Sequence, residues 1–308
     1  MRPMKIITSG ASYLDIDAYA CCIAYAELLN LQGISARAVS SARPNGSVSP
    51  TVLSWGAEFH RYSPQANDEF VLVDVSDYQH FDPLVVLDQV VEVIDHHPGF
   101  ERYWAERLGC AADIRPIGAA ATLVFQRWQS TGLLPRISVH SAALLATAIL
   151  DNTLNFSGQM TTELDIEAYE ILAPRANLPA NWPEQYFLEC QAAIEADLQA
   201  ALAADLKRFN PESNLPQVFA QMTVWDADAL IEKRHVEISR WMAGQGDDWL
   251  LNVISIRDGK SCLLAEPLLS QQKLDRLLPL RWQAGMALVK PSMLRKELLK
   301  LGLHINPV

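Results

Sequence analysis

Four short segments hold the side chains most able to do chemistry together: Asp15-Ile16-Asp17, Asp74 (with Asp77 three residues on), Asp95-His96-His97, and Asp151 ahead of Asn152-Thr153. Carboxylates joined by one or two imidazoles, with no thiolate in the set, suit Mn²⁺ or Mg²⁺ and disfavour zinc. Carboxylates brought together repel by roughly 1–4 kcal/mol per pair at 4 Å, so bound divalent cations are the natural offset. Two metals bridged by one carboxylate would clamp a phosphate and generate a hydroxide nucleophile between them. Simpler roles account for the pieces taken singly. Asp17 reads most simply as a helix cap, and Asp77 serves equally well as a turn cap. Asp74 ends an apolar strand and needs a partner. Capping explains each residue but not their common address. His60, His80, His140, His235 and His304 have no such context and read as ordinary surface or core histidines.

That address follows from the elements. Lys5–Ser9, Ala36–Ser40, Phe70–Ser76 and Val90–Ile94 read as short apolar strands, separated by helical patterns such as Asp17–Leu31. Further helices are expected at Gly118–Ser130, Ser138–Leu150 and Thr162–Leu172. Apolar runs of this length between helices predict an α/β fold with a mainly parallel sheet flanked by helices. In such sheets ligands bind outside the carboxyl ends of the strands, where Asp15/Asp17, Asp74 and Asp95-His96-His97 would all lie. The segment Ala173–Pro183 holds three prolines and no periodicity, which makes it a linker between a catalytic domain (1–180) and a smaller α/β C-terminal lobe (184–308). In that lobe one long helix is expected over Glu184–Phe209, strands at Gln217–Val224 and Trp249–Ile256, and helices at Asp228–Ala243 and near Ser292–Leu301.

The 308 residues suit two lobes better than one core. Lys and Arg number 25 against 36 Asp and Glu, a net charge of −11 that argues against nucleic-acid binding, because neutralising phosphates needs basic residues. No apolar run approaches the ~20 residues of a membrane span. The first residues lead into a strand rather than a signal core, and the five cysteines form no CxxC pair, so a cytoplasmic protein is expected.

At these same residues the sequence resembles the DHH phosphoesterase family. Val93-Ile94-Asp95-His96-His97-Pro98 matches the naming motif, Leu72-Val73-Asp74 the preceding strand-end motif, and Asp15-x-Asp17 the first motif. Pro116-Ile117-Gly118-Ala119-Ala120-Ala121-Thr122 resembles the helix start that follows the DHH motif, and Ala148–Thr153 the fourth motif. Asp205–Phe209 with Gln217–Gln221 resembles the start of the C-terminal domain of family II pyrophosphatases and exopolyphosphatases. Ser292-Met293-Leu294-Arg295-Lys296 partly resembles their phosphate-gripping segment. The resemblance implies about two Mn²⁺ per site, with Mg²⁺ or Co²⁺ as substitutes. Asp15 and Asp74 would hold one metal, and Asp17, Asp74, His96 and Asp151 the other. His97 would contact the phosphate or protonate the leaving oxygen, Asp95 would orient a histidine from behind, and Lys207, Arg295 and Lys296 would grip the substrate.

Three positions depart from the family pattern. Ala11 stands where pyrophosphatases have a histidine, and Val75-Ser76 replaces a His-Asn pair. Alignment on Phe156 brings Asn152 rather than Asp151 to the fourth-motif position; Asp151, a full carboxylate, is the better ligand. The implied activity is metal-dependent hydrolysis of the phosphoanhydride bonds of pyrophosphate or short polyphosphate. The alternatives are a phosphoesterase for a nucleotide or other small phosphoester, and a non-catalytic binding protein of the same fold. A small phosphorylated substrate is the expected partner, with no membrane, and a homo-oligomer is left open.

Overall fold

The computed structural model describes residues 3–56, 59 and 63–303; His60 and His304 lie outside them. The chain forms two compact units, residues 1–186 and 187–308. The division falls between Tyr186 and Phe187, inside a helix, and not within the proline-rich 173–183 segment. That segment spans the end of one helix and the start of the next: Pro174 lies in the last turn of the first, Pro183 in the first turn of the second, and only Pro179 lies in the turn between them.

In the first unit the order is β1 (Lys5–Thr8), α1 (Ile16–Leu31), β2 (Ala36–Ala38), α2 (Pro50–Ser54), β3 (Glu69–Val73), β4 (Val90–Asp95), α3 (Glu101–Leu108), β5 (Ala112–Ile114), α4 (Ala120–Ser130), α5 (Val139–Asn152), α6 (Glu163–Arg175) and α7 (Trp182–Ala196), which runs on past the boundary. The strands form one all-parallel sheet in the order β2-β1-β3-β4-β5. Their apolar runs are buried on both faces: Ile6, Ile7, Phe70 to Val73, Val93 and Ile94 are sealed from solvent. Trp104 of α3 packs under one face with Ile6, Phe70, Leu72 and Val93. Helix α1 is apolar nearly all round and correspondingly buried, including Cys21 and Cys22. Strand order reverses between β1 and β3, and the loops after those two strands flank the crevice where ligands of open α/β sheets bind.

The second unit contains α8 (Leu198–Ala204), β6 (Leu206–Arg208), β7 (Val218–Val224), α9 (Ala227–Ala243), β8 (Trp249–Ser255), β9 (Lys260–Leu264), α10 (Leu268–Asp275), β10 (Met286–Val289) and α11 (Arg295–Leu303). Its sheet runs β10-β9-β8-β7-β6, with β7 and β8 parallel and the outer pairings antiparallel. Alternation along β7 sends Val218, Ala220, Met222 and Val224 into one core and Phe219 into the other. The single long helix expected over Glu184–Phe209 does not form. Asp197 caps a new helix, accepting from the Ala200 amide at 3.0 Å, and Leu206–Arg208 pairs as a strand with Val218–Ala220. Helical propensity in that stretch yields to a cap and to sheet pairing. Among the described residues no helix is long and apolar enough to cross a membrane.

Candidate metal centre

The loop after β1 places its two carboxylates differently. Asp15 is the N-cap of α1, accepting from the Ala18 amide at 2.9 Å. Asp17, one turn position further, is fully buried and reaches across to a second helix: its oxygens accept from the Ala120 and Ala121 amides, both at 2.8 Å. Helix α4 lacks a side-chain cap of its own at Ala119, so Asp17 serves as the anion at its N-terminus. The sequence reading of Asp17 as the cap of its own helix is replaced by this one, because Asp15 already holds that place.

Asp74 follows the last residue of β3 with φ of 56°, a left-handed conformation uncommon outside glycine, while its amide still donates to the Ile94 carbonyl at 2.8 Å. The side chain is buried, and Oδ1 has no hydrogen-bond partner among the described residues. It lies 3.4 Å from His96 Nε2 and 3.8 Å from His97 Nδ1; His96 Nε2 is also 3.9 Å from Asp17 Oδ2. His96 Nδ1 sits 3.0 Å from the Ile117 carbonyl, which can only accept, so Nδ1 carries the proton. In neutral imidazole the Nε2 lone pair then faces two carboxylates. An imidazole locked this way by its far nitrogen is the usual bearing of a metal-ligating histidine.

Asp95 ends β4 and turns its carboxylate back: Oδ1 accepts from the His96 amide at 2.7 Å, the His97 amide at 3.2 Å and His97 Nδ1 at 2.8 Å. Burial works against its charge, but the His97 contact outweighs this and holds Asp95 below the usual carboxylate range. Partial burial likewise opposes a His97 cation, yet Asp95 and Asp74 raise its pKa above the ordinary value. The rest of the cluster moves the other way. Burial, then the charges of Asp17 and Asp15, push Asp74 well above the carboxylate range. Burial chiefly, with Asp15 adding, lifts Asp17 to about 6 against the pull of His96 and the α4 amides. Burial lifts Asp151 to about 7, with Asp15 and Asp17 adding to it. Protons and cations are interchangeable in relieving such a cluster. An unpartnered buried oxygen, a lone-pair nitrogen aimed at it, and an oxygen–nitrogen donor set without sulfur together fit Mn²⁺.

Asp151 and Asn152 close α5, which is followed by three residues of positive φ, Leu154, Asn155 and Phe156. Asp151 Oδ1 lies 2.9 Å from the Tyr186 hydroxyl, whereas Asn152 Nδ2 points back along its own helix to the Ala148 carbonyl at 3.5 Å. Position 11 contributes only a methyl group, its amide donating to the His80 carbonyl at 2.9 Å. Asp77 accepts from the Gln79 amide and from His80 Nδ1, both at 3.0 Å, so it is a turn cap with a histidine partner and not part of the cluster.

Two residues behind the centre were not singled out in the sequence. Asp165, fully buried, accepts from the Gly118 amide at 3.0 Å, Thr122 Oγ1 at 2.5 Å and the Thr162 amide at 2.7 Å. It thereby fixes the residue next to Ile117, whose carbonyl holds His96. Its signal is the capping box Thr162-x-x-Asp165 at the start of α6. Tyr186 had no signal, being a lone aromatic in a helix.

In the second unit Lys207, Arg208, Phe209, Gln221 and Arg295 line one hollow of about 490 Å³. Arg295 lies over the Phe219 ring, 5.7 Å from its centroid, and its guanidinium is held by Asp205, 2.5 Å from Oδ1 and 2.7 Å from the carbonyl. Lys207 stands across the strand pair from Phe219. Lys296 follows Arg295 in α11, its side chain outside the described residues. Asp226, Asp228 and Asp258 form another carboxylate trio, but Arg257 and Lys260 already pair with it.

No protein-family model matches the chain. Among curated proteins it is 30% identical over 274 residues to the manganese-dependent inorganic pyrophosphatase of Bacillus subtilis, covering 85% of each chain. Among solved structures it is similar to a Methanococcus jannaschii protein described as a candidate family II inorganic pyrophosphatase, with a TM-score of 0.65, 18% identity, and 97% and 100% of the two chains covered. An exopolyphosphatase-related protein of Bacteroides fragilis gives a TM-score of 0.53 at 12% identity, with 98% and 91% covered. The two structures share the fold.

Proposed function

The chain belongs to the family of manganese-dependent inorganic pyrophosphatases, and we propose that it hydrolyses the phosphoanhydride bond of inorganic pyrophosphate or short polyphosphate with manganese as cofactor. Asp15 and Asp74 hold one cation in this reading, and Asp17, Asp74, His96 and Asp151 the other. Bound manganese supplies the Lewis acidity that offsets charge on the phosphoryl oxygens and acidifies the attacking water. The protein groups do the rest. The α4 amides fix the Asp17 carboxylate, the Ile117 carbonyl fixes the His96 tautomer, and the Asp95 carboxylate keeps the proton on His97 Nδ1. His97, exposed at the edge of the cluster and raised in pKa, is suited to donate a proton to the leaving phosphate. Lys207, Arg295 and Lys296 supply positive charge for the phosphates, as point charges and as a fork.

One atom carries this reading: Asp74 Oδ1, buried and without a hydrogen bond, 3.4 Å from a histidine nitrogen whose own proton is committed elsewhere. Leaving a carboxylate oxygen in that state costs several kcal/mol unless a cation meets it. Phosphate release from pyrophosphate with added Mn²⁺ tests it. Asp74→Ala is expected to lose at least about 100-fold in rate, the upper end of what losing a mere outer partner of a metal ligand costs. Equal release by the two chains would overturn it.

A further inference from the structure

Asp151 is met by an uncharged donor, the Tyr186 hydroxyl. Tyr186 is fully buried, and its hydroxyl lies between two acceptors, Asp151 Oδ1 at 2.9 Å and the Ser47 carbonyl at 2.8 Å. A phenol has one proton, so while Asp151 is ionised the hydroxyl can serve only one of them at a time. Ser47 belongs to the loop that braces the first acidic segment. Its Oγ accepts from the Ile16 amide at 2.9 Å, between Asp15 and Asp17, and donates to Asn45 Oδ1 at 2.6 Å. The tyrosine is thus placed where the end of α5 meets the loop behind the start of α1.

We propose that Tyr186 is a positioning residue for the metal centre: its hydroxyl holds Asp151 Oδ1 and leaves Oδ2 to the cation. The inference rests on the reading of Asp151 as a manganese ligand. Ionised Asp151 draws the phenolic proton away from the neutral Ser47 carbonyl, because hydrogen bonds to charged acceptors are about twice as strong. That bond, 2.9 Å long, fixes the carboxylate about its last torsion. Asn152, the alternative at this place in the sequence, has no comparable support among the described residues, where its amide contact runs along its own helix. Outer partners of metal-ligating groups are worth about 10- to 100-fold in metal affinity.

The test is manganese binding to the metal-free full chain, read from the electron paramagnetic resonance signal of free Mn²⁺. Tyr186→Phe keeps the ring and its packing and is expected to weaken the Kd about 10-fold or more. A tyrosine with a purely structural role would instead lower the melting temperature and leave the Kd within about twofold, and that result overturns the proposal. Asp74→Ala is measured alongside. If it binds Mn²⁺ as the unaltered chain does, the metal centre itself is wrongly placed; if it alone loses binding, only the role of Tyr186 fails. Should Tyr186→Phe not fold, ¹³C-labelled tyrosine in the unaltered chain gives the answer. The Tyr186 ζ-carbon resonance is expected to shift on adding diamagnetic Mg²⁺, and an unmoved resonance refutes the proposal.

Discussion

Metal-free protein should become less stable as pH rises from 5 to 8, against the common trend for a folded protein. Asp151 moves from an ordinary 3.8 to about 7 on folding, and Asp17 from 3.8 to about 6. A carboxyl whose folded pKa is raised binds more protons folded than unfolded between those two values. Its charging penalty is absent below about pH 4 and grows until the folded pKa is passed. At 1.36 kcal/mol per pH unit, the ceilings are about 4 kcal/mol for Asp151 and about 3 for Asp17. These do not add, because the carboxyls share protons, and Asp151 is partly solvated; a net fall of about 3 kcal/mol is the expectation. His97 acts in the same direction, since a raised histidine stabilises below its ordinary pKa and loses that contribution as pH climbs through the folded one. Asp95, held low, stabilises above the carboxylate range and loses this only as pH falls through its folded value, below the window. Urea unfolding of chelator-treated protein at pH 5, 6.5 and 8 measures the slope. Adding Mn²⁺ at 100 times its Kd should restore about 2.7 kcal/mol at pH 8. Metal-free stability that stays flat or rises across the range would refute the account of a cluster short of positive charge.

Two further substitutions probe what stands behind the centre and in the second unit. A Cβ at Gly118 would lie 2.7 Å from both Asp165 Oδ2 and Thr153 Cγ2, so Gly118→Ala should destabilise by about 2–4 kcal/mol in urea titration, and a change under about 0.5 kcal/mol would contradict the packing. On the proposal that Arg295 grips phosphate, Asp205→Asn, which removes the charge that holds Arg295, should lower the KM for pyrophosphate about fivefold, the equivalent of about 1 kcal/mol, and an unchanged or raised KM would contradict it.

What was legible in the sequence was what is local. Apolar runs such as Phe70–Val73 and Val93–Ile94 announce buried parallel strands because both their faces are covered, and the acidic residues at their ends share an edge by topology alone. Strands β5, β9 and β10 gave no such signal. β5 has only three half-buried residues, and the other two take their identity from antiparallel partners, β9 through a hairpin with β8 and β10 by pairing with β9 across the intervening α10. The Leu206–Arg208 strand was hidden the same way, inside a stretch of good helix formers. In the candidate centre, residue types pointed to the edge where Asp17, Asp74, His96 and His97 meet, but the supports were invisible. The amides of Ala120 and Ala121, the carbonyl of Ile117 and the hydroxyl of Tyr186 come from positions whose side chains either do nothing or carry no recognisable spacing. Backbone groups become functional only through where the fold sends them.

The supports also explain why the cluster concentrates its deficit on one residue. Asp17 is answered by two amides, Asp95 by two amides and an imidazole, and Asp151 by a phenol. Asp95 Oδ2 is also buried without a partner, but three donors on Oδ1 hold that residue's charge, whereas Asp74 Oδ1 is unmet in a left-handed backbone conformation that only the surrounding sheet sustains. Donors spread over the other carboxylates keep them in place without a cation. Leaving Asp74 bare puts the strongest uncompensated negative charge at the one carboxylate that both cations would share. On the proposed reading a cation would be drawn there first, and the neighbouring carboxylates would already be oriented to meet it.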